Sequence, residues 1–541
     1  MDTPENAVFR PYVDVLLDQL EQHADRAVLR YLGDDVTGRA LRASIYRHAR
    51  ALAMLGIKRG SLVAQFAPNC PDALAIRYAA NLLGAATTFL PAIASAESRT
   101  AYVARIQPTL LVAFAQTAHL VPDAVDARVV YVGTGARSRL DHLARMQPDL
   151  PVASCAQPDD LAVIVSSGGS TGMPKASQRS FAAYATLVSA PSPADRRQLV
   201  NGALAYLSQV LVDNTLLGGG TVVLKPRYDP ADTLATIEAE RITDLLLVEP
   251  QLFEAMDHRD IFRRDLSSLR AIVHIGGSAP AILRRRAIAR FGPVLTHMYG
   301  ASEAGLVSVL TPSDYLSEPR TLESAGGRIR AGVEVRIRRA DGTLARDGQP
   351  GGIEVKSAAV AQGYRHQPSD AACRFRDGWC VMGDVGLIDG KGFLQVLGRA
   401  ADVAEIDGVA IGPAQIEAPL CALPQVRYAV AVSTDDSAHG YGWNVVALPW
   451  PGQRIDIEHC MRAIEAACGA HVARAVRLIA AQRVPLTEQG KVDCAAIAQM
   501  CEARLNGTSS ASRALGARPV SERLYGGIRT VNLPGRQHLV L

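Results

Sequence analysis

Short apolar runs alternate with amphipathic stretches along the first half of the chain. Between residues 45 and 93 the order is IYRHARALAMLGI, SLVAQFA, ALAIRYAANLLG and TFLPAI, which predicts helix, strand, helix and strand. The run LAVIVSS at 161–167 is apolar until its last two residues, so we expect a buried strand there. The runs TVVLKP, DLLLVEP and LRAIVHIGG are further predicted strands, and each ends at a turn. This alternation indicates an α/β fold with a largely parallel sheet.

One more helix is predicted before the pattern of apolar and polar residues changes. The stretch DPADTLATIEAERI is a predicted helix that begins with Asp229 as its cap. After about residue 325, segments such as VEVRIRRADG and GGIEVKS alternate between apolar and polar positions, which predicts antiparallel strands. A compact set of strands and helices begins near Arg399. Residues 506–541 are rich in Ser, Gly and Arg and lack periodicity, so we expect an irregular, loosely attached tail.

Length and composition narrow the class of protein. The 541 residues exceed what one hydrophobic core accommodates, so we predict an N-terminal core over 1–398, a C-terminal lobe over 399–505 and the tail over 506–541. The net charge of +4 is spread thinly, which argues against a nucleic acid partner. The nine cysteines contain no CxxC pair and indicate reduced thiols in the cytoplasm. Neither a signal peptide nor a membrane span is expected.

The stretch SSGGSTGMPK at 166–175 follows a predicted strand directly and ends in a lysine. Most Gly/Ser clusters are flexible turns. Here, however, glycines would let backbone N–H groups approach an anion, hydroxyl groups would add donors, and Lys175 would add a charge. It is not a Walker A loop, because Pro174 precedes the lysine and Ala176 follows it. These features favour a phosphate-binding loop.

The same loop resembles the phosphate loop of the acyl-adenylate-forming superfamily, which includes acyl- and aryl-CoA ligases, peptide-synthetase adenylation domains and luciferases. Five further segments resemble those of the family, in the same order: GGSAP at 276–280, MYGASEAG at 298–305, GDVGLID at 383–389, GRAADVAEIDGVAIGPAQIE at 398–417 and PLTEQGKVD at 485–493. The resemblance covers about residues 25–500. It implies a large N-terminal lobe of parallel-rich sheets with helices and a β-barrel-like subdomain, and a small mobile α+β C-terminal lobe.

The resemblance also implies roles for individual residues. In the family's signature segment, Tyr299 would stack on adenine and Ser302 would meet a phosphate, while Asp384 would bind both ribose hydroxyls. Mg²⁺ would be held by Glu303 together with Thr171. The implied ATP-binding residues are Ser167, Gly168, Gly169, Ser170, Thr171, Gly172, Lys175, Gly277, Ser278, Ala279, Tyr299, Gly300, Ala301, Ser302, Asp384 and Arg399.

The implied catalytic residues are Lys491, Glu303 and Thr171, with Lys491 bridging the carboxylate of the acid and the phosphate oxygens. Asp402 would be the hinge about which the C-terminal lobe rotates. The acyl pocket would be lined by Tyr206, Gly276, Gly300 and Gly305. Peptide-synthetase domains place an aspartate where Tyr206 stands, so an α-amino acid substrate is not expected.

Three positions depart from the family pattern. Ala176 replaces a usual glycine, Met382 a threonine, and Glu405 a lysine in the hinge segment. The expected reaction is ATP- and Mg²⁺-dependent activation of a carboxylic acid, fatty or aryl in type, to acyl-AMP, followed by transfer to the thiol of CoA. The expected enzyme is a monomer or homodimer. The reversed charge at Glu405 and the tail favour an alternative hypothesis, in which the protein is an acyl-AMP ligase that loads the phosphopantetheine of an acyl carrier protein. A third is a non-catalytic nucleotide- or acyl-binding protein.

Overall fold

The structure is a computed structural model of the chain. It describes residues 9–93, 95–133, 139–166, 173–275, 281–317, 326–406, 409–436, 440–486, 492–506, 531–533 and 536–538.

Helices and strands alternate in the first half of the chain, as the apolar pattern predicts. The elements are α1 (Tyr12–Gln22), β1 (Ala27–Tyr31), β2 (Asp34–Thr37), α2 (Gly38–Met54), β3 (Leu62–Phe66), α3 (Pro71–Leu82), β4 (Ala86–Phe89), α4 (Ala96–Ile106), β5 (Leu110–Phe114), β6 (Arg128–Val132), α5 (Leu140–Arg145), β7 (Leu161–Ser166), β8 (Ala176–Ser180), α6 (Phe181–Val188), β9 (Arg197–Val200), α7 (Gln209–Leu217), β10 (Thr221–Leu224), α8 (Pro230–Ala239), β11 (Asp244–Val248), α9 (Glu249–Met256) and β12 (Ala271–Ile275). Short 3₁₀ turns cover Ala118–Leu120 and Arg259–Phe262, and a π-helical turn covers Leu204–Ser208.

Strands dominate the second half until the C-terminal lobe. The elements are α10 (Ala281–Phe291), β13 (Leu295–Ala301), β14 (Gly305–Leu310), α11 (Pro312–Ser317), β15 (Gly327–Ile329), β16 (Val333–Arg338), β17 (Gly351–Ser357), β18 (Gly363–Tyr364), α12 (Pro368–Arg374), β19 (Phe375–Arg376), β20 (Trp379–Ile388), β21 (Phe393–Arg399), β22 (Ala404–Ile406), β23 (Val409–Ile411), α13 (Pro413–Cys421), β24 (Val426–Asp436), β25 (Gly440–Pro449), α14 (Ile457–Cys468), α15 (Ala470–Arg474), β26 (Val476–Ala480), α16 (Cys494–Asn506), β27 (Val531–Leu533) and β28 (Arg536–His538).

Two large sheets form the N-terminal lobe. The first has seven strands in the order β18-β8-β7-β4-β3-β5-β6, and β7, β4, β3, β5 and β6 run parallel. The second runs β16-β17-β20-β21-β15-β14-β13-β12-β11-β9-β10-β1-β2, with β19 paired to β20. It is parallel from β1 to β13 and antiparallel from β13 to β16. The predicted α/β class is confirmed, and so are the antiparallel strands predicted after residue 325.

Local sequence explains why several elements begin and end where they do. Every residue of β3 and of β5 is buried, as expected for parallel strands covered by helices on both faces. Asp229 caps α8 by accepting a hydrogen bond from the backbone N–H of Asp232 at 2.8 Å, and Pro230 occupies the first helical position. The predicted strand at 161–167 is observed as β7, which ends at Ser166.

The C-terminal segment folds around a sheet of three strands, β24-β25-β26. Its core contains Ile416, Leu420 and Trp443, all fully buried. The opposite face of this sheet packs on α9 of the N-terminal lobe, where the rings of Tyr428 and Phe253 lie 4.4 Å apart. The three-stranded sheet therefore contributes to two hydrophobic clusters at once.

The tail differs from the expectation where it is described. Residues 531–533 and 536–538 form an antiparallel pair, β27 with β28, instead of irregular chain. Pro-Gly stands between the two strands in the sequence, and this dipeptide is a turn signal. Among the described residues all nine cysteines are free thiols. None of the helices in the described ranges is both long enough and apolar enough to cross a membrane.

Candidate active site

A tight hairpin between β13 and β14 carries the segment MYGASEAG. The register of the two strands shifts between Tyr299 and Gly300. A Cβ at Gly300 would lie 2.2 Å from the carbonyl oxygen of Gly305, whose own φ is +75°. Both positions therefore require glycine. The close approach turns the chain sharply and places Ser302 and Glu303 at the tip.

Glu303 is a buried carboxylate with two hydroxyl donors. Tyr364 donates to its Oε1 at 2.6 Å and Ser302 donates to its Oε2 at 2.8 Å. Nη2 of Arg374 lies 3.8 Å from the same Oε1. Burial raises the pKa of Glu303, but Arg374 and the two hydroxyls more than offset this, so the pKa lies below its ordinary value. The carboxylate is ionised at neutral pH.

Asp384 lies in the middle of β20, opposite Arg399 of the neighbouring strand β21. Its Oδ2 accepts a hydrogen bond from the hydroxyl of Tyr299 at 2.6 Å, and its Oδ1 lies 3.2 Å from Nη1 of Arg399. Burial and the neighbouring carboxylate raise the pKa of Tyr299 well above its ordinary value. The structure thus brings together three of the predicted nucleotide-binding residues from three different strands.

Lys175 stands at the entrance to β8 and faces the same region. Its Nζ lies 3.9 Å from Oδ1 of Asp370 and 5.2 Å from the centre of the Tyr364 ring. Burial lowers the pKa of Lys175, while Asp370 acts in the opposite direction. Tyr364 reaches this place because β18 pairs antiparallel with β8. One tyrosine therefore contacts both the lysine and Glu303.

Four charged or polar residues of this region escaped the sequence analysis: Arg179, Tyr364, Asp370 and Arg374. Arg179 is fully buried on β8, and its Nε donates to the carbonyl of Ala359 at 2.8 Å. Burial lowers the pKa of Arg179 to about 10, although Glu303 opposes the shift. Tyr364, Asp370 and Arg374 lie shortly before the GDVGLID segment. This position in the sequence was the local signal that could have indicated them.

Asp402, the expected hinge residue, is bonded to the C-terminal sheet. Its carboxylate accepts a hydrogen bond from the hydroxyl of Ser433 on β24. Its carbonyl accepts from Nε1 of Trp443 on β25 at 3.2 Å. Burial raises the pKa of Asp402, and the bond from Ser433 opposes the shift. Its role as a hinge stays a prediction.

Several predicted site residues lie outside the described residues: Ser167, Gly168, Gly169, Ser170, Thr171, Gly172, Gly276, Gly277, Ser278, Ala279 and Lys491. The backbone of Tyr206 lies in the π-helical turn Leu204–Ser208, and that of Glu405 lies in β22. Ala301 ends β13 next to the hairpin tip. The roles assigned to all of these residues stay predictions.

The carboxylate of Glu303 is compatible with a magnesium ion. In the described ranges, no three His, Cys, Asp or Glu side chains are grouped so that they could hold a metal ion. Magnesium usually takes only one or two protein carboxylates and completes its shell with phosphate oxygens and water. Glu303, buried and ionised, fits a magnesium ion that arrives with a nucleotide.

Comparison with known proteins supplies the family. Residues 16–365 match the family model described as AMP-binding enzyme, which is more than half of the chain. The chain belongs to this family. It is 28% identical over 514 residues to the medium/long-chain-fatty-acid–CoA ligase FadD8 of Mycobacterium tuberculosis, covering 89% of each protein. It is 30% identical over 484 residues to a feruloyl-CoA synthase of an Amycolatopsis species, covering 88% of this chain and 95% of that protein.

Solved structures agree on the fold. The amide bond synthetase McbA from Marinactinospora thermotolerans superposes with a TM-score of 0.80 at 28% identity, over 90% of this chain and 99% of that one. The anthranilate CoA ligase AuaEII superposes with a TM-score of 0.83 at 19% identity, over 94% and 100% of the two chains, which shows the fold alone. This AMP-binding enzyme is an AMP-forming ligase with the two-lobed α/β fold.

Proposed function

We propose that this ligase activates a carboxylic acid with ATP and passes the acyl group to the thiol of CoA. The main support for the proposal is that two buried carboxylates, Glu303 and Asp384, lie in one site. Three cations line this site, namely Lys175, Arg374 and Arg399. Such a site suits a ligand with hydroxyl groups at one end and a chain of phosphates at the other. The named relatives that ligate acids to CoA support the same reaction.

The chemistry requires positioning and cations more than an acid or a base. An oxygen of the substrate carboxylate attacks the α-phosphorus of ATP, the bond from that phosphorus to the bridging oxygen breaks, and pyrophosphate leaves. Negative charge grows on the oxygens around phosphorus, and preorganised cations stabilise it. The thiol sulfur of CoA then attacks the acyl carbonyl, AMP leaves with the bonding electrons, and the thiol proton passes to solvent.

The described residues would divide this work between the two ends of the nucleotide. Asp384 accepts from both ribose hydroxyls, and Tyr299 stacks on adenine while its hydroxyl orients that carboxylate at 2.6 Å. Lys175 contacts the β- and γ-phosphates with the preceding loop. Glu303 would hold Mg²⁺ together with Thr171, and the ion would supply positive charge to the phosphates. Lys491 bridges the acid and the α-phosphate.

The remaining assignments are also proposals. The N-terminal core ends at residue 398, and the C-terminal lobe rotates about Asp402 once the adenylate has formed. The acid is fatty or aryl in type and lies against Tyr206, Gly276, Gly300 and Gly305. The reduced cysteines favour a cytoplasmic location.

The acceptor distinguishes three versions of the function. CoA is proposed because most named relatives are CoA ligases. An acyl carrier protein is the alternative that Glu405 keeps open. An amine is a further candidate, favoured by the likeness to an amide bond synthetase at 28% identity.

A two-stage assay tests the proposal. The purified protein is given ATP, Mg²⁺ and single acids from a panel of short, medium, long and aromatic acids, and pyrophosphate release is measured. CoA, a phosphopantetheinylated carrier protein or an amine is then added, and the product is identified by mass spectrometry. We expect acid-dependent pyrophosphate release and an acyl-CoA thioester. Pyrophosphate release that ignores the acid, or an amide or acyl-carrier product with no thioester, would contradict the proposal.

A further inference from the structure

Arg374, the last residue of α12, is placed between the two carboxylates of the site. On one side its Nη2 lies 3.8 Å from Oε1 of Glu303. On the other side its Nη1 lies 2.8 Å from where a Cβ at Gly383 would stand, directly before Asp384. The side chain is 14% exposed. The guanidinium therefore lies in the wall of the site, with Glu303 at one end and the Gly383–Asp384 segment at the other.

The guanidinium has donors to spare. Its Nε is buried without a hydrogen-bond partner among the described residues. Nη2 of Arg374 and Oε1 of Glu303 lie 3.8 Å apart, which is close enough for an ion pair but too far for a hydrogen bond. Both oxygens of Glu303 already accept from the hydroxyls of Tyr364 and Ser302. The charge of Arg374 lowers the pKa of Glu303, but the hydrogen bonds of this carboxylate come from the two hydroxyls and leave the guanidinium donors unused.

Charges from both ends of the site act on Arg374. The described residues of the region supply four cations, which are Lys175, Arg179, Arg374 and Arg399, and four carboxylates, which are Glu303, Asp370, Asp384 and Asp402. Electrostatic interactions with Glu303 and with Asp384 both reach Arg374.

We propose that Arg374 binds the α-phosphate of the nucleotide. The inference rests on the proposed function, in which Glu303 would hold the Mg²⁺ ion that accompanies the phosphates and Asp384 would hold the ribose. The group that joins those two parts of ATP is the α-phosphate, and Arg374 lies between the two carboxylates. An arginine fork matches two phosphate oxygens at once. Since the α-phosphorus is the atom attacked by the acid, this arginine also stabilises the charge that develops there.

Adenosine and AMP differ by that one phosphate, so their affinities isolate the contact. Calorimetric titration of each into the wild-type protein, Arg374→Gln, Arg374→Lys and Arg376→Gln measures it without any turnover. Arg376 is the matched control, an exposed arginine two residues further along on β19. We expect Arg374→Gln to weaken AMP binding about tenfold to a hundredfold, as the loss of a charged hydrogen bond does. Adenosine binding should stay within twofold, and Arg376→Gln should match the wild type for both ligands.

The two hypotheses fail in different ways. Equal losses for AMP and adenosine in Arg374→Gln, or no loss for AMP, would overturn the role of Arg374 and leave the proposed function standing. A wild-type protein that binds neither AMP nor ATP would overturn the proposed function together with the inference. If Arg374→Gln does not fold by its thermal melting curve, Arg374→Lys decides the matter. It keeps the charge but loses the fork, so we expect a selective loss of AMP affinity of at least threefold, and unchanged affinity would overturn the inference.

Discussion

In the N-terminal core Arg77 of α3 and Asp213 of α7 form a closed ion pair, whereas in the candidate active site Arg374 faces Glu303 across 3.8 Å. Both terminal nitrogens of Arg77 donate to the two oxygens of Asp213 at 2.7 Å. The hydroxyl of Tyr78 donates to the same carboxylate at 2.6 Å. Each side chain of the Arg77–Asp213 pair is only 1% exposed.

The active-site pair is built differently. Glu303 takes its hydrogen bonds from hydroxyl groups, and Arg374 makes none with the described residues around it. The Nε atoms of Arg77 and Arg374 both lack a partner among the described residues, so the contrast lies in the terminal nitrogens. A buried charge pair whose terminal nitrogens are all bonded is costly to break, while one whose terminal nitrogens make no hydrogen bond to its partner is suited to a ligand.

The largest effect is expected from opening the closed pair. Asp213→Asn leaves the guanidinium of Arg77 buried without a counter-charge, which costs about 3–5 kcal/mol of unfolding free energy. Urea denaturation followed by circular dichroism measures it. The double variant Arg77→Met with Asp213→Leu is the control and should recover part of the loss, because an apolar pair of similar volume replaces the ions while the hydroxyl of Tyr78 loses its acceptor. A loss below about 1 kcal/mol in Asp213→Asn would show that the pair is not structural.

Removal of the carboxylate that is proposed to bind the ribose should leave the fold intact and weaken nucleotide binding. Asp384→Ala would remove the two charge-assisted hydrogen bonds proposed to the ribose, each worth about 1.5–3 kcal/mol, so ATP affinity should fall about a hundredfold or more. Asp347→Ala, at an exposed aspartate in a turn, is the matched control and should bind ATP like the wild type. Calorimetry measures both affinities. A change under threefold in Asp384→Ala would remove this residue from the nucleotide site.

Glu417 is a further buried carboxylate, and the neighbouring charges that act on it among the described residues are negative. Glu417 of α13 is buried, and its Oε1 accepts from the backbone N–H of Ala431 at 2.9 Å. Burial, followed by the charge of Glu249, raises the pKa of Glu417 to about 8. Among the described residues Asp402 adds a further negative charge. The folded protein therefore keeps a proton at neutral pH that the unfolded chain has released.

The consequence is a pH-dependent stability of definite sign. Between about pH 5 and pH 8 the folded state binds more protons than the unfolded state, so stability falls as pH rises, by at most about 1.4 kcal/mol per pH unit, and levels off above pH 8. Glu417→Gln should flatten this slope without changing ATP affinity. Melting temperatures of both proteins from pH 5 to 9 test it, and equal slopes would assign the pH dependence to another group.

The fold was largely predictable because its signals are local. The apolar runs that became β7 and β10, and the Asp229 cap of α8, depend on residues within one turn or one strand. The pairing β27–β28 was missed because composition was weighed above the Pro-Gly dipeptide between the strands. Neither the order of strands in the two sheets nor the packing of β24 on α9 has a local signal.

The site was predictable only where a family segment carries it. Glu303 and Asp384 stand in such segments, and the structure brings Tyr299 and Arg399 to the second of them. Tyr364 was missed, because its contact with Glu303 joins residues 61 positions apart. Partners of this kind are determined by tertiary packing.

The exchange of radiolabelled pyrophosphate into ATP, measured with acid and Mg²⁺ but no CoA, tests the central claim most directly, because it reports reversible formation of acyl-AMP alone. The account predicts exchange that depends strictly on the acid in the wild-type protein. In Glu303→Gln, which keeps the shape but loses the charge proposed to hold magnesium, the rate should fall about a hundredfold or more. Exchange without acid, or an unchanged rate in Glu303→Gln, would contradict the account.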